Sequence, residues 1–139
     1  MTDVIARRGF HGPSNDDAIE AIHIELDALW DDASFVPDMD RMTFATAVIE
    51  SAANIVQHAE PVAEEPVEID VEIGVWPARL VARVSAHHAR EPFADDVQAS
   101  MPDSEAESGR GLALIEALVT TVTFERQDGT NTWILTRNT

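Results

Sequence analysis

The chain is 139 residues long and carries a net charge of −17. It has no cysteine, and all nine of its basic residues are arginine. Without cysteine there are no disulfides, thiolate metal ligands or thiol catalysis, and the acidity opposes binding to DNA or RNA. No apolar run is long enough to span a bilayer, so the expectation is one soluble cytoplasmic domain over residues 1–139, large enough for a sizeable core.

Val4 to Phe10 predicts a short edge strand, broken by His11-Gly12-Pro13. Ser14 is placed to cap a helix whose first turn is complemented by Asp17. Ile19, Ile22, Leu26 and Leu29 then follow at spacings of three and four, giving one buried face. Pro37-Asp38 restarts the chain. A second helix is expected from about Met39 to His58, rich in alanine, poor in charge and buried on several sides.

Glu60 to Pro66 is an acidic loop bearing two prolines. Val67 to Ile73 alternates apolar and acidic residues with the period of a half-buried strand. Trp76-Pro77-Ala78-Arg79 turns the chain into a strand over Leu80–Val84. Residues from about Ala86 to Ser108 read as a long loop, of the kind that often serves as a lid or binding loop. Gly109-Arg110-Gly111 opens a third helix carrying Leu112, Ile115, Leu118 and Val119. Val122–Arg126 and Thr132–Thr136 are strands joined through an Asp128-Gly129 turn. Short turns make neighbouring strands antiparallel. The expected fold is therefore α+β, a two-layer sandwich with helices on one face of a mostly antiparallel sheet.

Two elements carry candidate chemistry. Glu50, Asn54 and His58 are spaced four apart on the second helix, so they form one polar stripe on an otherwise apolar surface. Such a stripe either faces solvent, with an i,i+4 hydrogen bond between Glu50 and Asn54, or lines a site. In a site, the Asn54 amide oxygen suits Mg²⁺, and the Glu50 carboxylate can orient or deprotonate an attacking hydroxyl. The second element is Ser108-Gly109-Arg110-Gly111-Leu112. Its glycines allow close approach to a ligand, and the helix that follows offers free N–H groups to phosphate. Alone, it is equally a capped loop-to-helix turn.

Together these elements resemble the GHKL (Bergerat-fold) ATPase/kinase superfamily, and within it the anti-sigma-factor serine kinases of bacterial partner switching. Glu50-x-x-x-Asn54, continuing to His58-Ala59, looks like the N box. Gly109-Arg110-Gly111-Leu112-Ala113-Leu114 looks like the second glycine box. The resemblance covers essentially the whole chain. It implies ATP and Mg²⁺ as cofactors, with Asn54 on the metal, Glu50 activating the acceptor serine and His58 continuing the motif. It implies that Gly109, Arg110, Gly111 and Leu112 hold the phosphates and that Thr132 closes the adenine pocket. The implied partners are a small anti-anti-sigma protein that supplies the serine and a sigma factor held inactive by binding. A homodimer through the first strand and helix is also implied.

One departure stands out. The family pattern calls for Asp-x-Gly after the strand that ends near Val84, where the aspartate reads the adenine amino group. Here Ala86 and His88 occupy those positions, and Ala86 has no side-chain acceptor. This leaves a second reading open, in which the chain is a nucleotide-free pseudokinase module working through protein contacts alone. His87-His88 as a metal pair is disfavoured, because neighbours on a strand point to opposite faces. Trp30 is expected in the core or an interface, Trp133 in core packing, Trp76 at a partly exposed turn, and Asp95-Asp96 and Glu105-Ala106-Glu107 in a solvated acidic lid.

Overall fold

The computed structural model describes residues 3–92, 115 and 117–139. Strand β1 (Ala6–Pro13) leads into helices α1 (Asp16–Asp32) and α2 (Asp38–His58). Strands β2 (Glu68–Trp76), β3 (Arg79–His87), β4 (Thr121–Gln127) and β5 (Thr130–Asn138) follow. The sheet has five strands in the order β1-β2-β3-β5-β4, and every pairing is antiparallel. Both helices lie on one face of it, α1 against β1 and β2, α2 against β3 and β5. This is the expected α+β sandwich.

The two faces follow from strand register, because residues paired across an antiparallel ladder share a side. Ile69, Val71, Ile73 and Val75 of β2 and Leu80, Ala82, Val84 and Ala86 of β3 pair one with another beneath the helices, and all are buried. Ile22, Leu26 and Leu29 from α1 and Phe44, Val48, Ala52 and Ile55 from α2 meet them. Each fully buried large aliphatic or aromatic side chain contributes about 1.5–3 kcal/mol. Trp30 closes the seam between the helices, edge-on to Phe44 at 6.5 Å between ring centroids.

Several boundaries differ from the expectations. β1 runs through His11-Gly12-Pro13 instead of stopping before it. An edge strand tolerates proline at its end, where a missing N–H costs no ladder bond. The cap of α1 is Asn15, not Ser14; its side-chain oxygen accepts from Ala18 N at 3.1 Å. β3 extends to His87 because its polar outer residues pair with those of β2. The Asp128-Gly129 turn has φ of 51° and 78°, the two-residue geometry that matches strand twist.

One ion pair fixes the lie of α2. Arg137 Nε on β5 donates to Asp40 Oδ1 in the first turn of α2 at 2.9 Å. Its Nη1 donates to Leu118 O, also at 2.9 Å. At the opposite end of α2, Arg90 N donates to Glu60 O at 2.7 Å, and Pro61 bridges to Ala89. The helix therefore spans the sheet, with its C-terminal half at the end where β3 finishes and β5 begins.

Candidate functional site

The buried residues of α2 are Phe44, Ala47, Val48, Ser51, Ala52 and Ile55, which mark the stripe facing the sheet. At 100° per residue, Glu50 and Asn54 fall on the flank beside Ala47 and Ser51, while Ala45, Ile49 and Val56 fall on the other flank. Glu50 and Asn54 are half-buried and His58 is exposed. The polar stripe thus borders the core instead of facing open water along its whole length. Ser51 turns inward and donates to Ala47 O at 2.9 Å, so α2 carries no unpaired hydroxyl there.

The end of β3 is the second wall. Ala86 is fully buried and faces the helices, paired with Ile69 on one side and Asn131 on the other. His88, two residues on, has φ 60°. Glycine is favoured in that left-handed region, and a histidine there carries a cost of about 1 kcal/mol. The end of β3 therefore presents a buried methyl group at Ala86 and, two residues on, an imidazole on a left-handed backbone turn. The imidazole Nε2 of His88 lies 3.4 Å from Glu65 Oε2, both exposed.

A polar clamp that the sequence did not single out holds this segment. Arg126 Nη1 donates to Asn131 Oδ1 at 2.6 Å and to Ala89 O at 3.0 Å. Asn131 Nδ2 donates to Arg90 O at 2.8 Å, and Ala89 N donates to Gly129 O at 3.1 Å. Asn131 is buried on the helix side of the sheet. An asparagine so close after an Asp-Gly turn is a poor strand residue, and that mismatch was the available signal for a special role. Arg126 and Ala89 are 37 residues apart, so no local pattern could link them.

Thr132 differs from its expected place. It pairs with Ser85, and the two hydroxyls are 2.9 Å apart. Both lie on the face of the sheet turned away from α2, because Val84, Ala86, Asn131 and Trp133 occupy the other. Thr132 thus does not share a side with Glu50 and Asn54, and Asn131 occupies the neighbouring helix-facing position. Gly109, Arg110, Gly111 and Leu112, the expected phosphate-holding turn, lie outside the described residues, as do Asp95, Asp96, Glu105 and Glu107. The chain is helical at Ile115, Ala117 and Leu118, and Ile115 is buried in the core.

The donors fit one half of a metal–nucleotide site. An amide oxygen and a carboxylate on the sheet-bordering flank of α2 are hard ligands of the type Mg²⁺ takes together with phosphate oxygens and water. Ala86, at the end of β3, offers no side-chain acceptor.

The family profile described as the histidine kinase-like ATPase domain matches residues 13–137. No curated protein matches the chain. Among solved structures, the chain is similar to the crystal structure of the RsbU and RsbW domains of Rv1364c from Mycobacterium tuberculosis. The TM-score is 0.65 at 19% identity, over 94% of this chain and 32% of that one. This chain therefore spans about a third of that protein's length, and the likeness is one of fold. With the family profile covering nearly the whole sequence, the chain belongs to the histidine kinase-like ATPase domain family.

Proposed function

We propose that this chain is an anti-sigma-factor-like regulator of bacterial transcription that works by partner switching. In this reading it binds Mg²⁺–ATP with weakened adenine recognition and phosphorylates a serine on a small anti-anti-sigma protein. The observation that carries it is the half-buried Glu50–Asn54 flank of α2, lying on the helix side of the same sheet as Ala86. Membership of the ATPase domain family supports the cofactor. The likeness to a structure that includes an RsbW domain supports the partner-switching role.

Bound Mg²⁺ supplies charge neutralisation at the phosphates. The Asn54 side-chain oxygen would hold the metal. Glu50 would accept the proton of the acceptor serine hydroxyl. Gly109, Arg110, Gly111 and Leu112 would cradle the phosphates. His58, one turn beyond Asn54 and exposed, would stand at the rim. With Ala86 in place of a carboxylate, one buried hydrogen bond to the base is lost. That costs about 1–3 kcal/mol, or roughly ten- to a hundredfold in affinity. The acidic surface makes the metal obligatory, since a bare triphosphate would be repelled. Homodimerisation through β1 and α1 belongs to the same proposal.

The test is phosphoserine detection by mass spectrometry on candidate anti-anti-sigma proteins incubated with the chain and Mg²⁺–ATP. Wild type is expected to phosphorylate one of them. Glu50→Gln is expected to lose that activity and keep sigma-factor binding. A wild-type chain that binds no sigma factor would remove the regulator reading.

The buried methyl of Ala86 favours a second reading, a nucleotide-free module that switches partners by protein contacts alone. It predicts that Glu50→Gln changes neither sigma-factor binding nor its release. Wild type would then give no phosphoserine at millimolar ATP.

A further inference from the structure

The sheet face turned away from the helices carries a cluster that a nucleotide site on the other side does not use. His11, Asp70 and Ser85 form one row across β1, β2 and β3; Glu68 and His87 pair in a neighbouring row of β2 and β3, and the Thr130 hydroxyl at the start of β5 reaches His87. Asp70 lies between two imidazoles. His11 Nδ1 is 3.5 Å and His87 Nε2 is 3.6 Å from the same oxygen, Asp70 Oδ2. One ligand atom from each of the three residues falls within 4.8 Å of the others, and the two rings are 5.8 Å apart at their centroids.

The remaining nitrogen of each ring is already engaged. His11 Nε2 is 2.9 Å from Glu68 Oε2, and His87 Nδ1 is 2.9 Å from Thr130 Oγ1. If each of these nitrogens carries the proton, the outer oxygens accept, and the two nitrogens nearest Asp70 Oδ2, His11 Nδ1 and His87 Nε2, are left unprotonated. An outer carboxylate or hydroxyl that fixes the tautomer of a ligating histidine is the usual second layer of a metal centre. The two inner N···O separations are too long for strong hydrogen bonds. They lie close to the edge of a tetrahedron with 2.0–2.1 Å metal–ligand bonds, about 3.3 Å.

We propose that His11, Asp70 and His87 form a binding site for a divalent transition-metal ion, with Zn²⁺ as the occupant. Glu68 and Thr130 orient the two imidazoles, and the fourth position is open to water or to a donor from a partner. Two nitrogens and one carboxylate suit Zn²⁺ and not Mg²⁺, which prefers oxygen ligands throughout. The chain's net charge of −17 lowers the energy of any cation at this surface. The ligands come from three neighbouring strands, so a bound ion would clip β1, the edge strand, to β2 and β3.

Isothermal titration of Zn²⁺ into the tag-free full chain at neutral pH tests this. Wild type is expected to bind one ion at micromolar affinity or tighter, with no heat from Mg²⁺ at the same concentration. His11→Ala and His87→Ala are each expected to weaken binding by about a hundredfold or more, and Glu68→Gln by about tenfold, as loss of an orienting carboxylate does. Asp70→Asn is the near-isosteric check. All of these positions are exposed or half-exposed, so the variants should keep the wild-type circular dichroism. His23→Ala, on the exposed side of α1, should leave the affinity unchanged. The proposal is overturned if the His11→Ala, His87→Ala double variant binds Zn²⁺ as tightly as wild type. It is equally overturned if wild type takes up none at micromolar protein, or if His23→Ala weakens binding as much as either ligand variant.

Discussion

Ala86→Asp restores the carboxylate that the family pattern calls for, and its consequences can be worked out from the surroundings of the site. Ala86 is 0% exposed, faces the helices and sits between Ile69 and Asn131. The Asn131 side chain is already committed, donating to Arg90 O and accepting from Arg126 Nη1. An added carboxyl group therefore enters a fully buried position whose one polar cross-strand neighbour is already engaged. Burying it unpaired costs about 2–4 kcal/mol. At an unfolding entropy of about 2.1 cal/mol/K per residue, a 139-residue chain loses about 3.4 °C of Tm per kcal/mol. The ligand-free variant is expected to melt about 7–14 °C below wild type.

Burial raises the folded-state pKa of the new group above its unfolded value. The deficit should thus be smallest below the unfolded pKa and should grow as pH rises towards the folded one, so the gap in Tm is narrower at pH 5 than at pH 8. Mg²⁺–ATP should then recover more Tm in the variant than in wild type, and calorimetry should give a Kd about ten- to a hundredfold tighter. The assay is differential scanning fluorimetry with and without nucleotide, followed by titration. An unchanged Tm without ligand would refute the burial argument. A lowered Tm that nucleotide does not rescue would refute the placement of Ala86 at the adenine end.

Arg137→Met removes both the pair with Asp40 and the bond to Leu118 O. The pair is only 23% and 17% exposed, so the loss should be about 1–3 kcal/mol, read as a lower urea midpoint at unchanged m-value; an unchanged midpoint would show that the pair does not anchor α2. His88→Gly relieves a φ of 60° at the loss of one exposed contact to Glu65. Its Tm is expected to equal or exceed that of wild type by up to about 1 kcal/mol equivalent, and a clear drop would mean that the imidazole itself stabilises the turn.

The architecture was legible because its signals are local. Ile22, Leu26 and Leu29 at helical spacing, and Val67 to Ile73 alternating with acids, state which side is buried before any partner is known. The Asp128-Gly129 turn states its own geometry. What escaped was non-local or polar. His11, Ser85 and His87 look like loop residues in sequence, yet they lie on the outer face of strands whose other face is buried. Their proximity depends on a register between segments 57 residues apart, as for His11 and Glu68. Thr132 and Asn131 were separable only by strand phase, since a shift of one residue exchanges the two faces of the sheet. The Glu50–Asn54 stripe was visible as a stripe, but only packing could place it at the border of the core.

The most direct test of the account is calorimetric titration of Mg²⁺–ATP into wild type and Asn54→Ala. Mg²⁺-dependent binding to wild type is expected, weakened at least about tenfold in the variant by loss of a metal-holding oxygen. Equal binding by both proteins, or no heat from wild type at millimolar nucleotide, would contradict that expectation.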